Sequence, residues 1–187
     1  MKRFAVPVVL GALAMAAVSS RASAQYVFLG GGPSIPVGEF SDYAKSGWLL
    51  QGGIGVDVGK KGFWLEAEGF FGSNSHEDTG NLKEKTNLIG FMGAIGKTLS
   101  PGKKVSPYVL AGAGILGHQF RTDDDNAEDL EATENKFAYT GALGLSIALN
   151  TKARFWVEGR YIGSSGTAVI PVMVGISITL GGGSAGM

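Results

Sequence analysis

Apolar side chains recur at every second residue along most of this sequence, and this period of two constrains the fold more than any other feature. No stretch after residue 25 carries a sustained apolar stripe at the 3.6-residue spacing of an amphipathic helix. The alternation is clearest in 137–149, where the bulky side chains of one face are Phe137, Tyr139, Leu143, Leu145, Ile147 and Leu149. The opposite face carries small residues, among them Ala138, Thr140, Ala142, Gly144, Ser146 and Ala148. The pattern predicts an all-β protein.

Eight segments are predicted to be strands, which is an even number. They are 26–34, 48–58, 63–71, 86–99, 105–118, 137–149, 153–162 and 169–180. Each is at least as long as the about 9–11 residues that a tilted membrane crossing requires. The faces of 105–118 stay unassigned, and Pro107 fits only the start of a strand or a bulge there.

The connections between these segments alternate in length. Those at 59–62, 100–104 and 150–152 are short, basic and rich in turn-forming residues. Most of the others are longer and polar, at 35–47, 72–85 and 119–136, whereas the one at 163–167 is short. Short turns at one end and long loops at the other are typical of membrane barrels. The sequence therefore predicts an eight-stranded antiparallel up-and-down transmembrane β-barrel.

The first 24 residues have the pattern of a cleavable signal peptide. Lys2 and Arg3 form a basic start, an apolar run covers residues 5–18, and the small residues 22–24 form a cleavage site before Gln25. The apolar run is too short for a membrane-spanning helix. We therefore expect residues 1–24 to be a signal peptide for Sec-type export and residues 25–187 to be the barrel domain.

Composition excludes several other classes. The chain has no cysteine, so it has neither a disulfide framework nor a thiol nucleophile. Its formal charge is zero, from 16 basic and 16 acidic residues, and removal of Lys2, Arg3 and Arg21 with the signal peptide leaves about −3. This mildly acidic mature chain offers no electrostatic case for nucleic-acid binding.

Two features favour a membrane barrel over a soluble one. The polar faces carry small residues between their charges, and the interior of an eight-stranded barrel is only just wide enough for side chains. We therefore expect small side chains inside and bulky ones outside. Aromatic residues also fall at two levels, as in proteins that cross both membrane interfaces. Tyr26, Phe63, Tyr108 and Phe155 are expected near the short turns, and Trp48, Phe71, Phe137, Tyr139 and Tyr161 near the opposite end.

Three stretches carry a resemblance to a known family. The 30–40 opening, the 107–114 strand and the 174–178 strand resemble small bacterial outer-membrane β-barrel proteins of the OmpA/OmpX type, a likeness that extends over essentially the whole mature region. One departure is the end of the chain. Such proteins usually end on an aromatic residue that the barrel-assembly machinery reads, whereas here the last strand stops at Leu180 and a glycine-rich tail follows.

The resemblance implies a location and partners. The protein is expected in the cell outer membrane of a Gram-negative-type bacterium, as a monomer in contact with lipid and lipopolysaccharide. Periplasmic chaperones and the barrel-assembly machinery are expected partners during biogenesis, and no cofactor is expected.

Charged residues on the inward faces of two segments are candidates for a lumenal network. They are Glu66 and Glu68 on the third strand, and Arg154, Glu158 and Arg160 on the seventh. In an eight-stranded barrel these strands are opposite walls, so long side chains can meet. We predict an ion-pair network that plugs the bore, with Arg160 paired to a glutamate of the third strand. The alternatives are a narrow ion pathway and a carboxylate pair for acid–base chemistry.

Other motifs give weaker signals. Gly112, Gly114 and Gly117 match a dinucleotide fingerprint, but they lie in a predicted strand without the helix that the fingerprint needs. The acidic loop 121–134 fits positions 1, 3 and 12 of a calcium-binding loop but lacks the required glycine, so a solvated loop and a loose cation site are the alternatives. His76 and His118 lack the neighbours of a preorganised catalytic triad, so no catalytic or metal residues and no enzyme activity are predicted.

Function remains open between two classes. The preferred prediction is a structural or surface-interaction role, in envelope integrity or adhesion, through extracellular loops. The alternative is a small porin-like channel for ions or small solutes.

Overall fold

Eight antiparallel strands close into a single barrel. The structure is a computed structural model that describes residues 25–58, 61–76, 83–123 and 130–180. Its strands are β1 Gln25–Val37, β2 Gly47–Val58, β3 Phe63–Ser75, β4 Lys83–Thr98, β5 Val105–Asp123, β6 Leu130–Ala148, β7 Ala153–Ser164 and β8 Thr167–Thr179. Each strand pairs with the next, and β8 pairs with β1. Within the described ranges, no helix has the length and apolar character needed to cross a membrane.

The strands are strongly staggered around the barrel. When the pairing partner of each residue is followed from Tyr26 through all eight strands, the path returns to β1 at Pro36, ten residues further along. A stagger of this size across eight strands implies a strand tilt of about 40°. The predicted up-and-down eight-stranded barrel is therefore confirmed.

The barrel has two distinct ends. One end, here called the turn end, holds the connections 59–62, 99–104 and 149–152 together with the start of β1 and the end of β8. The opposite loop end holds the connections 38–46, 76–82, 124–129 and 165–166. A 3-10 helix, Gly38–Asp42, follows β1 at the loop end, and Gly38 has the left-handed backbone (φ 61°) that this bend needs.

Several strands are longer than predicted. The segments predicted as loops at 72–85 and 119–136 are largely strand, because β3 continues to Ser75, β4 begins at Lys83, and β5 and β6 pair from Val105↔Ile147 up to Thr122↔Leu130. Backbone pairing does not require apolar side chains, so a polar hairpin extends the sheet beyond its apolar band. The remaining parts of these two segments, 77–82 and 124–129, lie outside the described residues.

The predicted faces of the strands agree with their exposure. Along β8 the side chains of Val169, Met173 and Ser177 are buried, whereas those of Ile170, Val172, Val174, Ile176 and Ile178 are exposed. Leu29 and Leu143 are each 69% exposed. In β5, whose faces were unassigned, Tyr108, Leu110, Leu116 and His118 are buried, and Val109 and Ile115 are exposed. The outside of the barrel is thus its bulky apolar surface.

The expectation that small side chains fill the interior is wrong for six aromatic residues. The buried rings belong to Tyr26, Phe28, Trp64, Phe70, Tyr108 and Trp156. The barrel accommodates them because most lie directly over an inward glycine of a neighbouring strand. A Cβ at Gly96 would overlap Trp64, and one at Gly144 would overlap Tyr108. Large rings and glycines therefore fill the lumen together.

The aromatic levels also need correction. Tyr26 and Tyr108, expected at the membrane interface near the short turns, point into the lumen instead because their even positions lie on the inward faces of β1 and β5. Phe63 is exposed at that end. At the loop end, Trp48 and Phe71 form an exposed T-shaped pair 5.4 Å apart, and Tyr139 and Tyr161 lie 5.9 Å apart. The aromatic level at the loop end therefore has more exposed aromatic side chains than the level at the turn end.

Candidate functional site: the barrel lumen

One arginine is surrounded by three carboxylates inside the barrel. Arg160 Nε donates to Glu158 Oε1 at 2.7 Å, and Arg160 Nη1 donates to Glu68 Oε1. Arg160 Nη2 lies 3.8 Å from Glu66 Oε1. All four side chains are buried, Glu68 completely. We call these four residues the lumenal charge cluster.

The strands position this cluster through their alternation. Glu66 and Glu68 are two residues apart on β3, so both point inward, and the same holds for Glu158 and Arg160 on β7. Strands β3 and β7 are opposite walls of the eight-stranded barrel. The arginine crosses the bore to reach Glu68, while its bond to Glu158 stays within β7.

Two tyrosines complete the cluster from the turn end. Tyr108 Oη donates to Glu158 Oε2 at 2.9 Å, and Tyr26 Oη donates to Glu66 Oε2 at 3.4 Å. Sequence reasoning missed both because it assigned them to the membrane interface. The available signal was their spacing: Tyr108 lies an odd number of residues from the exposed Val109 and Ile115, so it faces the other way.

Arg154, predicted in the same network, has different partners. Its Nε donates to Ser146 Oγ at 2.7 Å, and its Nη2 reaches Ser106 Oγ at 3.3 Å. It lies near the beginning of β7, toward the turn end. The structure thus brings together four of the five predicted lumenal residues and places Arg154 with serines nearer the mouth.

A cavity of about 30 Å³ adjoins the charge cluster. Its lining includes Gln51, Trp64 and Glu66, and within the described part of the chain neither Gln51 Oε1 nor Trp64 Nε1 has a hydrogen-bond partner. This volume is enough for one water molecule, which could accept a hydrogen bond from the indole and donate to the amide oxygen. The cavity is far too small for an organic substrate.

Apolar side chains fill the bore on the loop side of the cluster. Leu49, Leu88 and Leu116 are fully buried, and Ile162 is 1% exposed. Leu49 lies nearer the loop end than Gln51 of its own strand, and Ile162 lies nearer the loop end than Arg160 of its own strand. Met92 and Met173, also fully buried, pack beside Glu68 and Glu158 as their pairing partners. The leucines and Ile162 lie between the cluster and the loop end.

The connection from β1 to β2 packs against the barrel at the loop end. Phe40, in the 3-10 helix, is completely buried, and its ring lies 5.4 Å from that of Tyr43. Asn74 Nδ2 donates to Ser34 O at 3.3 Å and to Lys45 O at 2.9 Å, which ties this connection to β1 and β3. We call residues 38–46 the lid.

The histidines make hydroxyl contacts at the same end. His118 Nε2 lies 3.2 Å from Ser164 Oγ, and His118 Nδ1 lies 2.9 Å from Thr167 Oγ1. His76 Nε2 lies 2.7 Å from Thr86 Oγ1. The His118 contacts join β5 to the tight β7–β8 turn, so this buried ring fastens the turn to the barrel wall.

The remaining motifs are accounted for by position. Gly112, Gly114 and Gly117 lie inside β5, where the dinucleotide fingerprint has no helix to follow it. The predicted acidic loop lies largely outside the residues whose side chains are described. Across those that are described, no group of three or more potential ligands has a geometry that could hold a metal ion.

A closed antiparallel barrel with a bulky apolar exterior defines a transmembrane β-barrel protein. The model of the outer membrane protein beta-barrel domain family matches residues 8–171. The chain belongs to this family, and its location is the outer membrane.

Solved structures share the fold. The chain is similar to Neisserial surface protein A, with a TM-score of 0.56, 12% identity, and coverage of 82% of this chain and 96% of that one. It is also similar to Ail, the attachment invasion locus protein of Yersinia pestis, in complex with the heparin analogue sucrose octasulfate. That match has a TM-score of 0.55, 13% identity, and coverage of 84% and 99%. The comparison with curated proteins gives no significant match.

Proposed function

We propose that this protein is a structural and surface-interaction barrel that holds its loops at the cell surface, in adhesion or envelope integrity. The observation that carries the proposal is the filled lumen: Leu49, Leu88 and Leu116 are fully buried across the bore, next to the Arg160 cluster. A lumen occupied by side chains cannot supply a wide aqueous path. Loops carried on a rigid barrel are then the part of the molecule available for function.

The lumenal charge cluster acts in this proposal as part of the plug. Arg160 holds two walls of the barrel together by contacting Glu68 on β3 and Glu158 on its own strand. Since charged groups away from bulk water require partners, the cluster is stable only while closed. The competing proposal of a small porin-like channel requires these contacts to open.

The structural neighbours support a surface role. One of them is named a surface protein, and the other an attachment invasion locus protein that binds a heparin analogue. For this chain we propose binding through the loop end, where the long connections lie. Lipopolysaccharide is the proposed lipid contact there, the barrel is proposed to act as a monomer, and no catalytic activity is proposed.

Export and assembly form part of the proposal. Residues 1–24, outside the described residues, are proposed to be removed as a signal peptide, and periplasmic chaperones and the barrel-assembly machinery are proposed to deliver the chain. Mass spectrometry of the protein from outer membranes should give a mature N-terminus at Gln25. A mass that includes residues 1–24 would contradict this processing.

Planar-bilayer recordings test the plug. The purified protein should show no steady open-channel current, whereas Leu88→Gly combined with Leu116→Gly should introduce one because it empties part of the bore. The control is Ile89→Gly combined with Ile115→Gly, which alters the exposed outer face of the same strands. A large steady conductance of the unmodified protein would favour the channel instead.

Adhesion is tested separately at the loop end. Cells that display the protein should bind a host-cell or glycan surface better than cells with residues 124–129 replaced by glycine and serine. Heat-modifiable gel mobility verifies that both forms are folded. Equal binding by the two forms, with equal surface amounts, would contradict a role for this connection.

A further inference from the structure

Exposed positive charge is concentrated at the turn end of the barrel. Among the described residues of this end, five lysines are exposed: Lys61, Lys97, Lys103, Lys104 and Lys152. Four belong to the short turns, and Lys97 lies one residue before the end of β4. We call these five residues the lysine belt.

No exposed carboxylate offsets this belt in the described part of the turn end. The acidic residue there is Asp57, which is buried in the lumen. Exposed acidic side chains lie instead at the loop end, at Glu39, Asp42 and Glu134. Among the described residues, exposed charge is therefore distributed asymmetrically along the barrel axis, with a positive turn end.

The belt borders the lipid-facing apolar surface. Lys97 projects from the outer face of β4, and its Nζ lies 4.9 Å from the centre of the exposed Phe63 ring. Leu99, Val105 and Leu149, next to the belt, are each about half exposed to their surroundings, at 56%, 48% and 59%. Lysines at such a boundary extend their ammonium groups toward lipid headgroups while their stems cover apolar surface.

The turns also form a basic groove. Between the β4–β5 and β6–β7 turns lies a groove of about 330 Å³ whose lining includes Lys103, Lys104, Asn150, Thr151 and Arg154. A backbone bond joins its two walls, since Ala148 N donates to Lys104 O at 2.7 Å. Cations, an amide and a hydroxyl are the groups that bind a phosphate and its glycerol.

We propose that the lysine belt and its groove bind the phosphate groups of anionic phospholipids in the leaflet that surrounds the turn end. The exposed apolar side chains beside the lysine belt favour a membrane lipid over a soluble anion. Lys97 and Leu99 both lie where the apolar outer surface meets the turns, which is where lipid headgroups would be. In an outer-membrane barrel the short turns face the periplasm, so the leaflet is the periplasmic one. The interaction would favour anionic headgroups over neutral ones and would fix the depth of the barrel in the membrane.

Electron paramagnetic resonance of spin-labelled lipids tests this proposal. Folded protein from outer membranes is reconstituted in phosphatidylcholine with traces of spin-labelled phosphatidylglycerol or phosphatidylcholine. We expect the protein-bound fraction to favour phosphatidylglycerol about two- to five-fold at low salt. In 1 M salt, where the screening length is about 3 Å, the preference should approach one.

Variants assign the preference to the turn end. Combined K97Q, K103Q, K104Q and K152Q substitutions should abolish most of it, and arginine at the same four positions should retain it. The matched control removes four loop-end lysines, with K45Q, K83Q, K85Q and K136Q, and should retain the preference. Heat-modifiable mobility verifies folding of each variant.

Three results would overturn the proposal. The first is an equal association of both lipids with the unmodified protein, and the second is a preference unchanged in the turn-end glutamine variant. The third comes from competition with free phosphate. Added inorganic phosphate at 10-fold excess over lipid distinguishes the source of the anion. Loss of the lipid preference in its presence, at constant ionic strength, would identify a free-phosphate site in place of a lipid site.

Discussion

Glycine and aromatic side chains define one another's positions inside this barrel. Trp64 occupies the space in which Gly96 has no side chain, and Trp156 does the same beside Gly30 and Gly175. Because interiors are close-packed, the space above such a glycine is already filled. These glycines are needed for the volume they leave free, rather than for an unusual backbone angle.

Gly96→Ala should therefore destabilise the barrel by about 1–3 kcal/mol, because its Cβ would overlap the Trp64 ring. Urea unfolding of protein reconstituted in lipid vesicles measures the effect. Gly93→Ala in the same strand is the matched control, since a Cβ there meets nothing within 4 Å. Equal stabilities of the two variants would contradict this packing.

The charge cluster gives a second residue-scale prediction. Arg160→Met would leave Glu66, Glu68 and Glu158 buried without their cation, at an expected loss of about 3–5 kcal/mol in unfolding free energy. Urea unfolding in vesicles again measures it. A further Glu68→Gln substitution should restore part of the stability by removing one of the uncompensated charges.

The Arg160 prediction fails under two outcomes. One is an Arg160→Met variant as stable as the unmodified protein, and the other is a Glu68→Gln addition that lowers stability further. Either would show that the carboxylates are not held by this arginine.

At the residue scale, the alternation of apolar and polar side chains supplied most of the correct predictions. It placed Glu66, Glu68, Glu158 and Arg160 on inward faces, where the structure has them. The outward faces of these strands are apolar, so charged side chains are expected on the opposite, lumenal face. It could not identify Tyr108 as a partner of Glu158, because 105–118 has apolar side chains on both faces. Contacts across a barrel also depend on the stagger between strands, which no local pattern encodes.

At the scale of elements, the ends of strands were the least predictable feature. The cores of β6, β7 and β8 were evident from their apolar alternation, whereas the polar parts of β5 and β6 resembled loop. Paired backbone continues there through Gln119↔Thr133 and Asn135↔Gly117 without an apolar face. The lid was equally hidden, because its two buried apolar residues, Phe40 and Ala44, lie in a polar stretch.

The lid offers a prediction about an element. Asn74→Ala removes the two bonds from Asn74 Nδ2 to Ser34 O and Lys45 O, so trypsin should cleave after Lys45 several-fold faster in detergent-solubilised barrel. Cleavage after Lys152, at the opposite end, is the internal control and should keep its rate. An unchanged rate at Lys45 would mean that other contacts, such as Lys45 N to Ser75 O, hold the lid alone.

At the scale of the whole molecule, the barrel combines an apolar outside with a charge cluster inside. Leu29 and Leu143 belong to a large exposed apolar surface, and such a surface is favourable only in an apolar environment. The buried lumen, by contrast, contains the ion pairs that a soluble barrel would place on its surface. Family membership and this distribution of side chains, apolar outside and charged inside, both indicate the outer membrane as the protein's environment.

The central claim is that successive side chains along each strand face lipid and lumen in turn, and spin labels can read this directly. The chain has no native cysteine, so single cysteines on β8 at the outward Val172, Val174 and Ile176 and the inward Met173 and Ser177 can each carry one label. In lipid vesicles, oxygen should collide often with the outward labels, and a water-soluble nickel chelate rarely. Both reagents should reach the inward labels rarely. Outward labels that collide freely with the nickel chelate would contradict the lipid-facing barrel.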